Sequence, residues 1–339
     1  MTAPDLHEVD PTAPGIVRRR SGRGFRYLHP SGRPVRAKTT LARIRALVIP
    51  PAWEDVWISP DPRGHIQAVG TDARGRRQYR YHDDWRVERD AEKHDRAIEL
   101  AKVLPRLRER VADDLAGDGM GRDRVLAAAI RLLERGLFRV GGERYRAEND
   151  SFGLATLCKR HVRIDGDRMV FDYPAKSGQR RRVTIEDSEL QAVVAPLKRR
   201  RSGGDELLAY KDERGRWTDV RSGDLNDYLH AAVGGGFSSK DLRTWLGTVL
   251  AAVALAAEEP AGSDTARQRQ ATHAVQWVAA QLGNTPAVAR RAYVDPRVIE
   301  QHQDGTTIDL DAVEDLEADT VEDLEAAVVD LVESASDST

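Results

Sequence analysis

The residues best suited to chemistry in this chain are a tyrosine and the arginines that precede it. Tyr293 lies in the run LGNTPAVARRAYVDP, shortly after Arg290 and Arg291. A phenol oxygen can attack phosphorus, and nearby cations can stabilise the negative charge that grows on a phosphoryl group during the attack. A single tyrosine more often packs beside a helix, so the chemical interpretation requires further phosphate ligands elsewhere in the chain.

Further candidate phosphate ligands are Arg139, Lys176, Arg243 and Asn284. Cleaving a phosphodiester without a metal ion requires a nucleophile, cations for the developing charge and an acid that protonates the leaving oxygen. The sequence has no histidine–cysteine cluster with metal-ligand spacing and no GxxxxGK[ST] phosphate loop. We therefore predict phosphodiester chemistry without a metal, ATP or any other cofactor.

Helix geometry restricts how Asn284 and Tyr293 can work together. They are nine residues apart, and a continuous helix, at about 100° per residue, would place them on opposite faces. If both touch one phosphate, the helix must end between them. Gly283 as a helix stop, Thr285 as a cap and Pro286 as the first residue of a new helix predict such a break.

The net charge of −2 combines two regions of opposite sign. Residues 304–339 contain 13 acidic residues and no lysine or arginine, which leaves 53 basic against 42 acidic residues in 1–303. A net charge of +11 over the folded part suits a polyanionic partner, for which nucleic acid is the usual candidate. The alternative is an arginine-rich surface without a specific partner.

Composition and length limit the class of protein. The chain has 339 residues, of which 40% are hydrophobic, enough for about two domains with a proper core. The polar N-terminal run MTAPDLHEVDPTAPG lacks the apolar stretch of a signal peptide, and the apolar stretch at 242–257 is too short to cross a bilayer. With Cys158 as the single cysteine, we expect a cytoplasmic protein without membrane association.

The residue pattern predicts an α+β fold in four segments. Residues 1–15 are expected to be disordered, and 16–88, rich in glycine, proline and short alternating runs, to form a small β-rich domain. Residues 89–303 have helical spacing of apolar residues, interrupted by one β island that should form a three-stranded meander with Lys176 at the tip of its second hairpin. Residues 304–339 are acidic and lack aromatics, which favours disorder, although the spacing of valine and leucine would allow a transient helix.

Four segments of the sequence together resemble the type IB DNA topoisomerases of the compact bacterial and poxvirus kind. They are GRRQYRYH (75–82), RGLFRVGGERYRAENDSFGLATL (135–157) followed by YPAKSG (173–178), KDLRTW (240–245) and LGNTPAVARRAYVDP (282–296). The resemblance covers roughly residues 16–303. Its weight comes from the order and spacing of the segments, because each alone would be weak.

The resemblance implies a role for each of five residues. The family's nucleophile falls on Tyr293, its two phosphate-gripping arginines on Arg139 and Arg243, and its hairpin lysine, a general acid, on Lys176. The position that is usually histidine in the poxvirus and eukaryotic enzymes falls on Asn284. Because a neutral amide can donate a hydrogen bond but cannot transfer a proton, the role of Asn284 is expected to be electrostatic only.

The resemblance also implies the reaction and the partner. The tyrosine attacks one strand of duplex DNA to give a 3′-phosphotyrosyl enzyme and a free 5′-hydroxyl, and rotation of the free end relaxes supercoils before the strand is resealed. The N-terminal domain would complete a clamp around the duplex, and the enzyme would act as a monomer at the nucleoid. Expected DNA contacts are Arg77, Gln78, Tyr79, Tyr81, Tyr145, Lys240, Arg290 and Arg291.

Other roles remain open for these residues and for the whole chain. Arg139 has structural salt-bridge partners available in Glu143 or Glu148, and Lys176 also suits an ordinary solvent-exposed turn. Tyrosine recombinases share the catalytic plan, but they typically show His-x-x-Arg where this chain has KDLR at 240–243. A non-catalytic DNA-binding clamp requires an incomplete site, and Asn284 is the only gap.

Overall fold

The computed structural model describes residues 6–143, 146, 150–259, 261–310 and 318–336. The predicted DNA contact Tyr145 and the predicted alternative salt-bridge partner Glu148 lie outside the described residues. The chain divides into two compact units, Met1–Glu92 and Lys93–Thr339.

The first unit is built on an antiparallel five-stranded sheet with the strand order β2-β1-β3-β4-β5. Its core contains Ile16, Val56 and Ile58 from the strands and Ile44 from the helix. The predicted β-rich N-terminal part of the α+β fold is thus confirmed. The elements of this unit are β1 (Ile16–Ser21), β2 (Gly24–Leu28), α1 (Lys38–Ala46), β3 (Glu54–Ile58), β4 (Ile66–Thr71) and β5 (Arg77–Tyr81).

The segment before β1 differs from the predicted disorder of the first fifteen residues. His7 forms an isolated parallel bridge with Gly64, and its Nδ1 atom lies 2.8 Å from a carboxylate oxygen of Asp61. The backbone N–H of Val9 donates to Nδ1 of His65 at 3.0 Å. These hydrogen bonds to one loop hold the segment in place, and the polar composition that suggested disorder carries no sign of them.

The second unit is mainly helical, as the spacing of its apolar residues predicts. Helix α3, for example, buries Leu104, Leu107, Val111 and Leu115 along one face. No helix in the described ranges is both long and apolar enough to cross a membrane. The helices are α2 (Asp83–Ala101, which begins in the first unit), α3 (Leu104–Ala116), α4 (Arg122–Gly136), α5 (Ser188–Arg199), α6 (Ser222–Val233), α7 (Ser239–Ala256), α8 (Asp264–Leu282), α9 (Pro286–Ala292), α10 (Pro296–Gln303) and α11 (Ala318–Ser336).

The predicted β island forms a three-stranded antiparallel sheet of β6 (Val162–Asp165), β7 (Arg168–Pro174) and β8 (Arg180–Glu186). Lys176 lies in the turn between β7 and β8, which confirms the predicted meander. A second, two-stranded sheet of β9 (Ala209–Lys211) and β10 (Trp217–Asp219) was not expected. Its strands have only three residues each, too short to produce a recognisable alternation.

In the part of the acidic tail that the structure describes, Ala318–Ser336 form a helix, where the composition favours disorder and the valine and leucine spacing allows a helix. Helix α11 packs against α7 and α10, and Glu325, Val328, Leu331 and Val332 on one of its faces are buried. Composition averages over all residues, whereas packing requires only one apolar face. The carboxylate of Glu325 is stabilised by partners distant in sequence, so the local charge gives no indication of its burial.

Candidate active site

The chain breaks between Asn284 and Tyr293 as predicted. Gly283 ends α8 in the left-handed conformation, with φ +60°, where a residue without a Cβ is favoured. The side chain of Thr285 caps α9, and Pro286 is the first residue of that helix. Asn284 therefore precedes the short helix, and Tyr293 follows it.

Arg139 and Asn284 are in direct contact. Arg139 follows α4 and donates from Nη2 to the carbonyl oxygen of Gly283, at 2.6 Å, and to Oδ1 of Asn284. The Nδ2 atom of Asn284 is buried and has no hydrogen-bond partner among the described residues. Glu143, one alternative partner for Arg139, instead lies 3.3 Å from Arg221. The arrangement leaves an amide donor available to an incoming acceptor.

Arg243 is buried in the early turns of α7 and lies beside Tyr293. Its Nη1 donates to the carbonyl oxygen of Leu137 and its Nη2 to that of Leu282. The centre of the guanidinium is 5.2 Å from the centroid of the Tyr293 ring, within the range of cation–π contact. Burial lowers the pKa of Arg243, and the tyrosine opposes that change. The guanidinium of Arg243 and the ring of Tyr293, the candidate nucleophile, therefore lie side by side.

The backbone of Tyr293 is fixed against α7 by a close approach and by hydrogen bonds. A Cβ atom on Gly247 would lie 2.6 Å from the carbonyl oxygen of Tyr293, so a larger residue would displace the tyrosine. The hydroxyl of Thr248 donates to the same oxygen at 3.3 Å and accepts from the backbone N–H of Asp295 at 3.1 Å. These contacts determine the position of the phenol relative to Arg243.

Arg181, which the sequence interpretation missed, is a third arginine in this cluster. Its Nη2 donates to the carbonyl oxygens of Gly136 and Gln281, both at 2.9 Å, and burial lowers its pKa. Like Arg139 and Arg243, it binds carbonyls at the C-terminal ends of helices. The only sequence signal was its place in the run RRR after the predicted hairpin.

Within the described ranges, Arg139 and Arg181 lie near Arg243, which contacts Tyr293, and none of the three has a carboxylate partner. Their hydrogen bonds in this part of the chain go to backbone carbonyls and to Asn284. The partial negative charge at the ends of α4 and α8 offsets only part of their charge, since each helix end is equivalent to about half an elementary charge. The cluster thus favours a bound anion.

Lys176 is exposed in the turn between β7 and β8. The turn is closed by the backbone N–H of Ala175, which donates to the carbonyl oxygen of Gln179 at 2.7 Å. Ala175 and Gln179 line the same cavity as Gly283 and Asn284. The hairpin that carries the lysine therefore borders the arginine cluster.

The predicted DNA contacts of the first unit lie on β5. Tyr79 and Tyr81 are 42% and 40% exposed, and their rings stack with centroids 6.1 Å apart, so this strand face is not core. Arg77 is exposed on the same face, whereas Gln78 points the other way and donates to Asp72 at 3.0 Å. Three of these four residues are thus accessible to a ligand.

The remaining predicted contacts lie in the second unit. Lys240 is exposed in the first turn of α7, and Arg290 and Arg291 are exposed on α9. The carbonyl oxygen of Arg291 accepts a hydrogen bond from Nζ of Lys93 at 2.9 Å. Short helix α9 therefore carries two cations between Asn284 and Tyr293.

Two family models match the chain. Residues 82–317 match the catalytic core of eukaryotic DNA topoisomerase I, and residues 24–72 match the N-terminal domain of bacterial DNA topoisomerase IB. The chain belongs to the type IB DNA topoisomerases. The resemblance carried by the four sequence segments is thereby confirmed. The topoisomerase family fits this chain better than the tyrosine recombinases do.

Individual relatives agree with this assignment. The DNA topoisomerase 1B of Acanthamoeba polyphaga mimivirus is 33% identical over 298 residues, which cover 85% of this chain and 88% of the relative. The DNA topoisomerase 1B of Vaccinia virus (strain Copenhagen) is 23% identical over 251 residues, covering 71% and 74%. Among solved structures, the XerH site-specific recombinase bound to palindromic difH substrate matches with a TM-score of 0.38, 12% identity and coverage of 59% and 49%.

Proposed function

We propose that this type IB topoisomerase relaxes supercoiled double-stranded DNA through a covalent bond between Tyr293 and one strand. The observation that carries the proposal is the cluster of Arg139, Arg181 and Arg243, in which Arg243 contacts the tyrosine and the other hydrogen-bond partners are carbonyls and an amide. A buried cationic cluster of this kind is stabilised when an anion enters. A DNA phosphate supplies that anion next to the phenol.

In the proposed reaction, the phenol of Tyr293 gives up its proton to solvent, its oxygen attacks a backbone phosphorus, and the bond from phosphorus to the 5′-oxygen breaks. Arg139 and Arg243 hold the non-bridging oxygens as charge grows on them, and Asn284 donates its free N–H to one of these oxygens. Lys176 protonates the leaving 5′-oxygen. The reverse attack by the 5′-hydroxyl reseals the strand, so the bond energy is conserved and neither ATP nor a metal ion is needed.

We further propose that the first unit contacts the duplex through the exposed face of β5 and completes a clamp around it. Arg77 would meet backbone phosphates, while the stacked pair Tyr79 and Tyr81 offers flat apolar surfaces to the sugars. The active site draws all its residues from one chain, which supports action as a monomer. The proposed place of action is the nucleoid in the cytoplasm, where such a substrate is found.

The decisive experiment is relaxation of a supercoiled plasmid in EDTA without ATP. The wild-type protein is expected to relax the plasmid, and Tyr293→Phe, which removes only the phenol oxygen, is expected to lose activity completely. Denaturing gels of the wild-type reaction should show protein attached to the 3′ end of the cleaved strand. Relaxation by Tyr293→Phe at the wild-type rate, or no relaxation by the wild type, contradicts the proposal.

Changing one atom at Asn284 tests its electrostatic role. Asn284→Asp keeps the oxygen that accepts from Arg139 but replaces the free N–H donor with a negative oxygen that repels phosphate. We expect single-turnover cleavage to slow about 100-fold or more, with no loss of melting temperature. Asn284→His, which restores a donor, serves as the control. Equal cleavage rates for the aspartate variant and the wild type would show that Asn284 takes no part in the reaction.

A further inference from the structure

We propose that an arginine-lined cavity bordered by Asn284 binds a second backbone phosphate of the cleaved strand, next to the scissile one. This inference rests on the proposed function, because it assigns a further part of the same DNA strand to a specific place. The cavity has a volume of about 620 Å³, large enough for a phosphate and its sugar. It lies along the edge strand β8 and the C-terminal ends of α4 and α8.

Four of the residues around the cavity are arginines: Arg135, Arg180, Arg181 and Arg182. Among the described residues that line it, none is aspartate or glutamate. A concave surface lined by one sign of charge focuses its field and concentrates ions of the opposite sign. The chemistry of the lining therefore selects a phosphate group over a neutral or cationic ligand.

The four arginines differ in how far they are already engaged. Arg181 is bound to two backbone carbonyls, and Arg180 forms a two-point pair with Asp172, at 2.6 and 2.9 Å. Arg135 lies 4.0 Å from a carboxylate oxygen of Asp187.

Arg182, in contrast, is exposed, and its side chain forms no hydrogen bond with the described residues. Its charge acts on Asp172, its cross-strand partner, whose pKa it helps to lower, but Asp172 is already bound at two points by Arg180. Arg182 is thus the arginine with its donors available to a ligand, while Arg181, on the opposite face of β8, adds fixed positive charge from the side of the helices.

The position of the cavity identifies which phosphate it receives. Its wall includes Asn284, the residue whose free N–H is assigned to the scissile phosphate. A DNA strand carries one phosphate per about 3.4 Å of helix axis, so a strand held at Tyr293 must place neighbouring phosphates within reach of the same wall. Arg182 would then act by fixing the register of the strand, as phosphate contacts generally do.

The salt dependence of DNA binding tests this subsite. Duplex binding is measured over a series of KCl concentrations in the Tyr293→Phe background, so that the result does not depend on cleavage. Loss of one phosphate contact lowers the slope of log affinity against log salt by about 1. We expect this decrease for Arg182→Ala and the wild-type slope for Arg182→Lys, which retains the charge.

The matched control is Arg168→Ala, an exposed arginine of β7 at the opposite end of the hairpin, with Glu186 as its Cα partner. It should leave the slope unchanged. An unchanged slope in Arg182→Ala, or an equal decrease in both alanine variants, overturns the subsite. Failure of the wild type to relax a plasmid would instead reject the proposed function, and the two results are read independently.

Neutral methylphosphonate linkages locate the contact on an oligonucleotide whose cleavage position has been mapped with the wild type. Neutralising the correct phosphate should abolish the difference in affinity between the Tyr293→Phe protein and the same protein carrying Arg182→Ala. Loss of this difference shows that the Arg182 side chain and the neutralised phosphate interact. We expect the effect at a linkage within two phosphates of the cleavage point. Coupling only at more distant linkages contradicts the adjacent placement.

Discussion

Arg243→Ala is expected to slow DNA cleavage about 1,000-fold and to lower the melting temperature at the same time. The guanidinium contacts the ring of Tyr293 and donates to the carbonyls of Leu137 and Leu282. Removing a charged donor from a site of phosphoryl charge costs about 100- to 1,000-fold in rate. Each buried carbonyl that loses its donor costs about 1–3 kcal/mol, because water cannot easily replace the guanidinium at the two helix ends.

Arg243→Lys separates the two effects. Lysine keeps the positive charge, but its single ammonium cannot imitate the planar fork that reaches two carbonyls and a phosphate together. We expect the lysine variant to recover part of the melting temperature and little of the cleavage rate. The measurements are single-turnover cleavage at saturating enzyme and thermal unfolding. A folded Arg243→Ala protein that cleaves like the wild type would exclude this arginine from the reaction.

Local signals explain why the break between α8 and α9 could be predicted. A glycine in the left-handed region, a capping threonine and a proline at the first helical position act within a few residues of each other. The meander followed in the same way from turn residues between alternating runs. The positions of Asn284 and Tyr293 on either side of α9 are therefore predictable without knowledge of any tertiary contact.

Arg181 could not be found in this way, because its contacts are entirely non-local. Its two carbonyl partners, Gly136 and Gln281, are 45 and 100 residues away along the chain, and no pattern near Arg181 refers to them. The acidic tail, residues 304–339, also has contacts that local sequence patterns do not reveal. Its acidity is a local property, whereas the burial of Glu325 depends on Arg108 and Trp245 in α3 and α7.

Glu325 connects the C-terminal helix to the helix that carries Arg243. Its Oε2 accepts from Nη1 of Arg108 at 2.7 Å, and its Oε1 accepts from Nη2 of Arg108 at 3.0 Å and from Nε1 of Trp245 at 3.1 Å. Arg108 also donates to Glu134, whose side chain is 12% exposed and whose pKa is raised by burial although Arg108 opposes the change. Two carboxylates thus share one arginine inside the protein.

Glu325→Ala is expected to reduce the free energy of unfolding by about 3 kcal/mol, because the indole N–H of Trp245 loses its acceptor and Arg108 keeps only Glu134 as a carboxylate partner. For a unit of this size, that corresponds to a melting temperature lower by roughly 6–12 °C. Glu325→Gln, which keeps an acceptor for Trp245, should lose less. Thermal unfolding of the full-length variants measures both.

Glu322→Ala provides the comparison, because Glu322 is exposed one turn earlier on the same helix and its loss should change stability by less than about 0.5 kcal/mol. If Glu325→Ala and Glu322→Ala have the same melting temperature, the buried carboxylate of α11 does not stabilise the fold. If Glu325→Ala alone is destabilised, the acidic tail is part of the framework that holds α7. Cleavage by Glu325→Ala, measured well below the melting point of that variant, should then fall far less than in Arg243→Ala. In the described part of the chain, Glu325 is linked to the site through Trp245, two residues from Arg243.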